Sequence, residues 1–254
     1  MPKILAKVSA RFGKTGPRRF SLVLILSFLV INVLWVKLDQ RAPIIGDDPR
    51  WLQGTYELYQ PLKEGNLQAF YETWQSLYVK NSNSFPRTPL FALLSVPTFL
   101  VFSVSEDNAI ITNLIILAAS SFILILLVEQ FFPGKRSRWL LPLSVLLFNL
   151  LHGVFGFGRL YMSEILQTFF VLLLTLLMIR YRKERVVKNY AKLGVLWSLA
   201  ILLRFIMPIY LLLPTAVFVI EQLRLKQKFT YYLKALAIFA ILFLPLTLTW
   251  YGQN

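Results

Sequence analysis

Two adjacent carboxylates, Asp47 and Asp48, stand in the stretch Ile-Gly-Asp-Asp-Pro-Arg at 45–50, just after the first long apolar run of a 254-residue chain. A carboxylate at such an exit can take a proton from an attacking hydroxyl or amine, the task of a general base in group transfer. The same pair could be a solvated loop in which Asp48 caps a helix opening at Pro49, since proline is favoured in the first turn. A divalent cation could also be held there, although two acids are too few to name one. The second constellation is Gly-Arg-Leu-Tyr-Met-Ser-Glu at 158–164. Arg159 and Glu164, squeezed between two apolar runs, must face a cavity or pair with each other across the turn. The third is Arg204, four residues before Pro208, whose planar donors suit a phosphate and whose long stem could equally snorkel to the interface. Arg87, in Phe-Pro-Arg-Thr-Pro-Leu at 85–90, offers one more cation. Acids and arginines converging on one face would suit an anionic phosphate carried on a lipid, with its hydrocarbon tail between helices.

What must position these groups is a membrane bundle. Hydrophobic residues make up 57% of the chain, mean hydropathy is +0.61, and apolar runs recur from end to end, so the fold class is an all-α polytopic helix bundle. There is no cysteine, which removes disulfides and thiolate zinc sites, and the single histidine, His152, excludes a histidine-rich metal centre. In its apolar context His152 reads as a packed helix residue. The net charge of +15 sits in short loops between apolar runs, which marks membrane topology and argues against a nucleic-acid partner.

The first run, 20–36, follows a tail carrying Lys3, Lys7, Arg11, Lys14, Arg18 and Arg19 and no acid. With no small-residue cleavage site before Asp39, it reads as a retained span with a cytoplasmic N-terminus. Further runs lie at 90–104, 109–128, 139–157, 165–179, 193–203, 205–220 and 232–250. If all eight crossed, the basic loops around 135–138, 180–192 and 224–234 would face away from the basic tail, against the positive-inside bias. One run therefore stays on one side, and 90–104, short and interrupted by Pro97, is expected to dip into or lie along the outer leaflet. An ordinary span across a thinned bilayer remains the alternative. About seven crossings follow, with the C-terminus outside. In the outer loop, Leu52, Tyr56, Tyr59 and Leu62, then Leu67, Phe70, Trp74 and Leu77, recur at helical spacing. They predict two helices parted by Gly65-Asn66, roofing the site along the membrane surface or standing free as a small hairpin.

In order, the strings GDDPRW at 46–51, FPRTPLFALL at 85–94, VSEDNAIITN at 104–113, GRLYMSEILQTFF at 158–170 and LLRFIMP at 202–208 resemble the GT-C type, lipid-linked-sugar-dependent glycosyltransferases. That group includes glycosyltransferase family 39, with the protein O-mannosyltransferases, and the aminoarabinose transferases of lipid A. The resemblance implies an inner or plasma membrane enzyme that moves a sugar from a polyprenyl phosphate to an acceptor outside, whether protein, lipid or glycan. It implies that Asp47 is the acid/base, with Asp48 where the family usually has glutamate, and that Glu164 and Arg204 lie at the donor. Arg159 and Arg87 join them as phosphate-holding cations. The chain 1–254 corresponds to the seven-span module of that group, 39–105 forming its outer loop, without the half that receives the acceptor. A non-catalytic membrane subunit binding lipid-linked sugar, or a partner bundle, is the alternative, and a lipid-linked-sugar transporter a third.

Overall fold

The computed structural model describes residues 16–38, 48–76, 90–133, 137–184, 186–204 and 206–251. Among these it has eleven helices and no strand: α1 (Gly16–Leu38), α2 (Asp48–Lys63), α3 (Leu67–Gln75), α4 (Leu90–Phe102), α5 (Glu106–Phe131), α6 (Ser137–Leu150), α7 (His152–Gly158), α8 (Glu164–Tyr181), α9 (Lys188–Leu203), α10 (Met207–Arg224) and α11 (Phe229–Tyr251). All-helical structure is what a bilayer demands, because each backbone amide must find its partner within its own segment. Four helices, α1, α5, α8 and α10, are long and apolar enough to cross a membrane; Leu90–Phe102, Trp139–Leu150 and Phe229–Pro245 are shorter apolar helices. The protein is a multi-pass, all-α membrane bundle.

Helices α1 and α5 run antiparallel and are pinned at both ends. Arg18 pairs with Glu129 at 3.7 Å, while Lys37 reaches Asp107 at 3.6 Å and donates to Asn108 at 2.9 Å. The chain therefore leaves α1 and enters α5 at the same end. Between them, α4 rises about 20 Å over its 13 residues, short of the roughly 30 Å hydrocarbon core. One face of α1 packs Ile25 against Ile125, Leu141 and Val145, and the opposite face leaves Phe20, Val23, Leu26 and Leu34 exposed, as a lipid-facing span requires.

Sequence and structure part company in two places. The run 139–157 is continuous in hydropathy, yet the helix breaks at Leu151, whose backbone is extended (ψ 127), and restarts as the seven-residue α7. In α2 the buried residues are Thr55, Leu58, Tyr59 and Pro61, with Leu52 and Leu62 packed alongside, whereas Tyr56 is exposed. The buried stripe is thus turned by one residue from the expected one, because α2 docks on α4, with Tyr59 edge-on to Phe99 at 5.9 Å. Gly65 (φ 69) and the Asn66 cap, accepting from the Ala69 amide, separate α2 from α3 as expected. Leu77 lies outside the described residues.

The closest helix pairing is α9 on α11. A Cβ on Gly194 would stand 2.8 Å from the Phe239 carbonyl, so only glycine lets the backbones approach this far. At the start of α9, Gln222 of α10 donates to the carbonyls of Tyr181 and Arg182 at 3.0 and 2.9 Å, closing the last turn of α8. The hydroxyls of Tyr190 and Tyr232 both donate to Gln222, to its side-chain and backbone oxygens, so one amide ties α8, α9, α10 and α11 together.

Candidate functional site

The site grows from the turn 159–163 between α7 and α8. Gly158 lies so close to α5 that a Cβ would meet Leu117 at 3.0 Å. From α5, the Asn113 amide donates to the carbonyls of Leu160 and Met162, fixing the turn to the span beneath it. Tyr161 is fully buried: its ring packs on Phe91 of α4 at 4.7 Å, and its hydroxyl bonds Thr55 of α2 at 2.6 Å. One five-residue turn therefore joins α2 and α4 to α5 and α8. Leaving the Asn113 amide nitrogen or the Tyr161 hydroxyl bare in this buried setting would be costly, so these bonds make the alignment specific.

Arg159 turns toward α1. Its Nε donates to Asn32 at 2.7 Å, and its guanidinium lies 4.1 Å from the Trp35 ring centroid, a cation–π contact. Glu164 turns the other way. As the first residue of α8 it places its charge where the helix dipole favours an anion, and its Oε1 receives a hydrogen bond from Arg204 Nη2 at 2.7 Å. Arg204 caps α9 in extended conformation (φ -155, ψ 134), and its carbonyl accepts from Met207 as the chain enters α10, where Pro208 occupies the first turn. The side chains of Arg204 and Glu164 remain 41% and 27% exposed. With one guanidinium nitrogen engaged, Arg204 keeps further donors facing out.

The structure thus unites Glu164 with Arg204 across 40 residues and sets Arg159 on the same turn, facing α1. The Arg159–Glu164 pairing that the sequence allowed gives way to these two longer-range partnerships. Asp47 and Arg87 lie outside the described residues. Asp48 opens α2, two turns before Thr55, and its side chain is likewise outside them, as is that of His152. Among the described residues no three His, Asp or Glu side chains converge as a metal site.

Beneath the ion pair, four buried polar atoms are without a partner: Asn113 Oδ1, Ser163 Oγ, Glu164 Oε2 and Gln167 Nε2. All belong to the first turn of α8 or to the asparagine under it. Such groups are rare in native interiors and concentrate polarity here. Sequence reasoning did not single out Asn32, Asn113, Trp35, Thr55 or Gln167. The available signal was polarity within apolar runs: an asparagine in a span is costly unless it holds something, and Asn32 and Asn113 both do.

A family model described as dolichyl-phosphate-mannose-protein mannosyltransferase matches residues 86–250, well over half the chain. The matched stretch contains Arg87, Arg159, Glu164 and Arg204; Asp47 and Asp48 precede it. No curated protein and no solved structure was found to match.

Proposed function

We propose that this chain, which belongs to the dolichyl-phosphate-mannose-protein mannosyltransferase family, transfers a sugar from a polyprenyl-phosphate donor to an acceptor at the end of the bundle where α1 leaves the membrane. Membership makes it a membrane glycosyltransferase using a lipid-linked sugar; the donor, the side and the residue roles are our reading. In that reading Asp47 takes the proton from the acceptor nucleophile as it attacks the anomeric carbon, and the bond from that carbon to the phosphate oxygen breaks. The charge left on the departing phosphate is met by Arg204, with Arg159 and Arg87 as further cations. Glu164 holds the Arg204 guanidinium in orientation, and Asp48 orients the sugar or a bound divalent cation. Seven crossings follow if α4 stays on the side where α1 ends and α5 begins.

The observation that supports this best is the Glu164–Arg204 pair at 2.7 Å, a partly open arginine held by a carboxylate at the junction of α8 and α9. A purely structural ion pair would have no use for cations and orphaned polar groups gathered within the same turn. The test is Asp47→Asn in the full chain, in membranes supplied with polyprenyl-phosphate mannose, following release of polyprenyl phosphate. Turnover should fall about a hundredfold or more, with donor binding retained. Undiminished turnover would remove Asp47 from the chemistry.

A further inference from the structure

A second feature, argued without the transferase reading, runs lengthwise along α9, α10 and α11 to the opposite end of the bundle. Helices α9, α10 and α11 enclose a groove of about 540 Å³, lined by apolar side chains including Leu193, Trp197, Val219, Leu236 and Phe239. Its lip is open sideways: Val219, Leu223 and Leu236 line it and are exposed. Polar atoms enter the lining mostly at one end, where Tyr190, Gln222 and Tyr232 meet. The connection 225–228 is fastened over that end, the Gln227 amide donating to the Tyr232 hydroxyl at 3.1 Å and the Gln227 side chain to the Leu225 carbonyl. Lys226, held at φ 47, and Lys228 flank this anchored glutamine, and both are exposed. No acid of α10 or α11 answers them except Glu221, which is engaged by Arg224 at 3.1 Å.

We infer that this groove is a binding site for an anionic phospholipid, its acyl chains lying along α10 and α11 and its headgroup phosphate between Lys226 and Lys228. The apolar lining fits chains, and the paired lysines at its mouth fit a negative headgroup, as basic pockets between spans do on the positive-inside face. A prenyl phosphate pairs an anionic head with an apolar chain in the same way, so its competition for the groove is one arm of the test. The groove's other end, at Ile201 and Pro208, lies beside Arg204, which the transferase reading gives to the donor phosphate, and the phospholipid headgroup is assigned to the lysine end alone.

The test uses the full chain in vesicles of phosphatidylcholine with one-fifth phosphatidylglycerol, reading the motionally restricted fraction of spin-labelled lipid. Spin-labelled phosphatidylglycerol should be retained over spin-labelled phosphatidylcholine, and the preference should shrink as salt rises. Each lysine at a membrane surface is worth about fivefold in affinity, so Lys226→Glu with Lys228→Glu should lower the preference by about twenty-five-fold or more. Both positions lie in an exposed connection, and a glutamate at 228, just before α11, suits a helix start. Val219→Trp, which narrows the lip, should reduce restricted lipid of either kind while leaving the residual headgroup preference intact. Equal retention of both lipids, a preference indifferent to the lysine changes, or displacement of phosphatidylglycerol by bare polyprenyl phosphate would each overturn the assignment. Since donor turnover by the wild type enters none of these readings, failure here and failure of the transferase reading are separable.

Discussion

The two ends of this bundle handle charge in opposite ways. At the end containing α8's first residue, charges turn inward and find partners far along the chain: Arg204 with Glu164, 40 residues apart, and Arg159 with Asn32, 127 apart. At the other end the ion pairs lie at the surface, Arg18 with Glu129 at 3.7 Å and the local Arg224 with Glu221 at 3.1 Å, their arginines 47% and 72% exposed, and the inward tie is made by a neutral amide, Gln222. Outward cations satisfy topology and need only water or headgroups. Drawing charge inward costs desolvation that a bundle could avoid with apolar packing, so it marks where function is sought.

The most forceful way to break this comparison is Arg204→Glu, which sets two carboxylates against each other where 2.7 Å now separates opposite charges. Donor turnover should be lost by about a hundredfold or more and the detergent melting temperature should drop. Combining it with Glu164→Arg should restore the melt but leave turnover lost. A swap that recovered turnover would reduce the pair to structural glue. Next, Asn113→Leu deprives the Leu160 and Met162 carbonyls of their donor. It should cost about 2–3 kcal/mol by thermal or denaturant unfolding, since buried acceptors left unpaired bear their full desolvation penalty. At the opposite end, Gly194→Ala should push α9 from α11, because the Phe239 carbonyl blocks the new methyl; about 1–3 kcal/mol is expected from overpacking, read in the same melt. The smallest effect sharpens the contrast. Arg224→Ala, 72% exposed, should change stability by less than about 0.5 kcal/mol, whereas Gln222→Leu, buried beside it, should cost about 1–2 kcal/mol.

The apolar runs were legible because hydropathy is a sum over neighbours along the chain; observed helices begin and end within a few residues of the expected runs at 20–36, 109–128 and 165–179. The break at Leu151 was read through because no proline stands there, although His152 and the glycines at 153, 156 and 158 weaken the helix just beyond it. The rotated stripe of α2 escaped for a different reason: Leu52, Leu58, Tyr59 and Leu62 and the set with Tyr56 in place of Leu58 are both helical faces, and only docking on α4 chooses between them. Of the candidate residues, Arg159, Glu164 and Arg204 were legible as charges stranded between apolar runs. Their partners were not, because nothing local couples residues dozens of positions apart.

By itself the sequence determined that this is a helical membrane protein with most of its cations in the short stretches between apolar runs, since burial of apolar side chains in lipid and the cost of placing charge there act residue by residue. It also supplied the arginines and acids eligible for a site. Tertiary structure alone decided that Glu164 takes Arg204, that Arg159 goes to α1, and that Tyr161 locks α2 over the turn, because those choices depend on which helix faces lie within a hydrogen bond of one another.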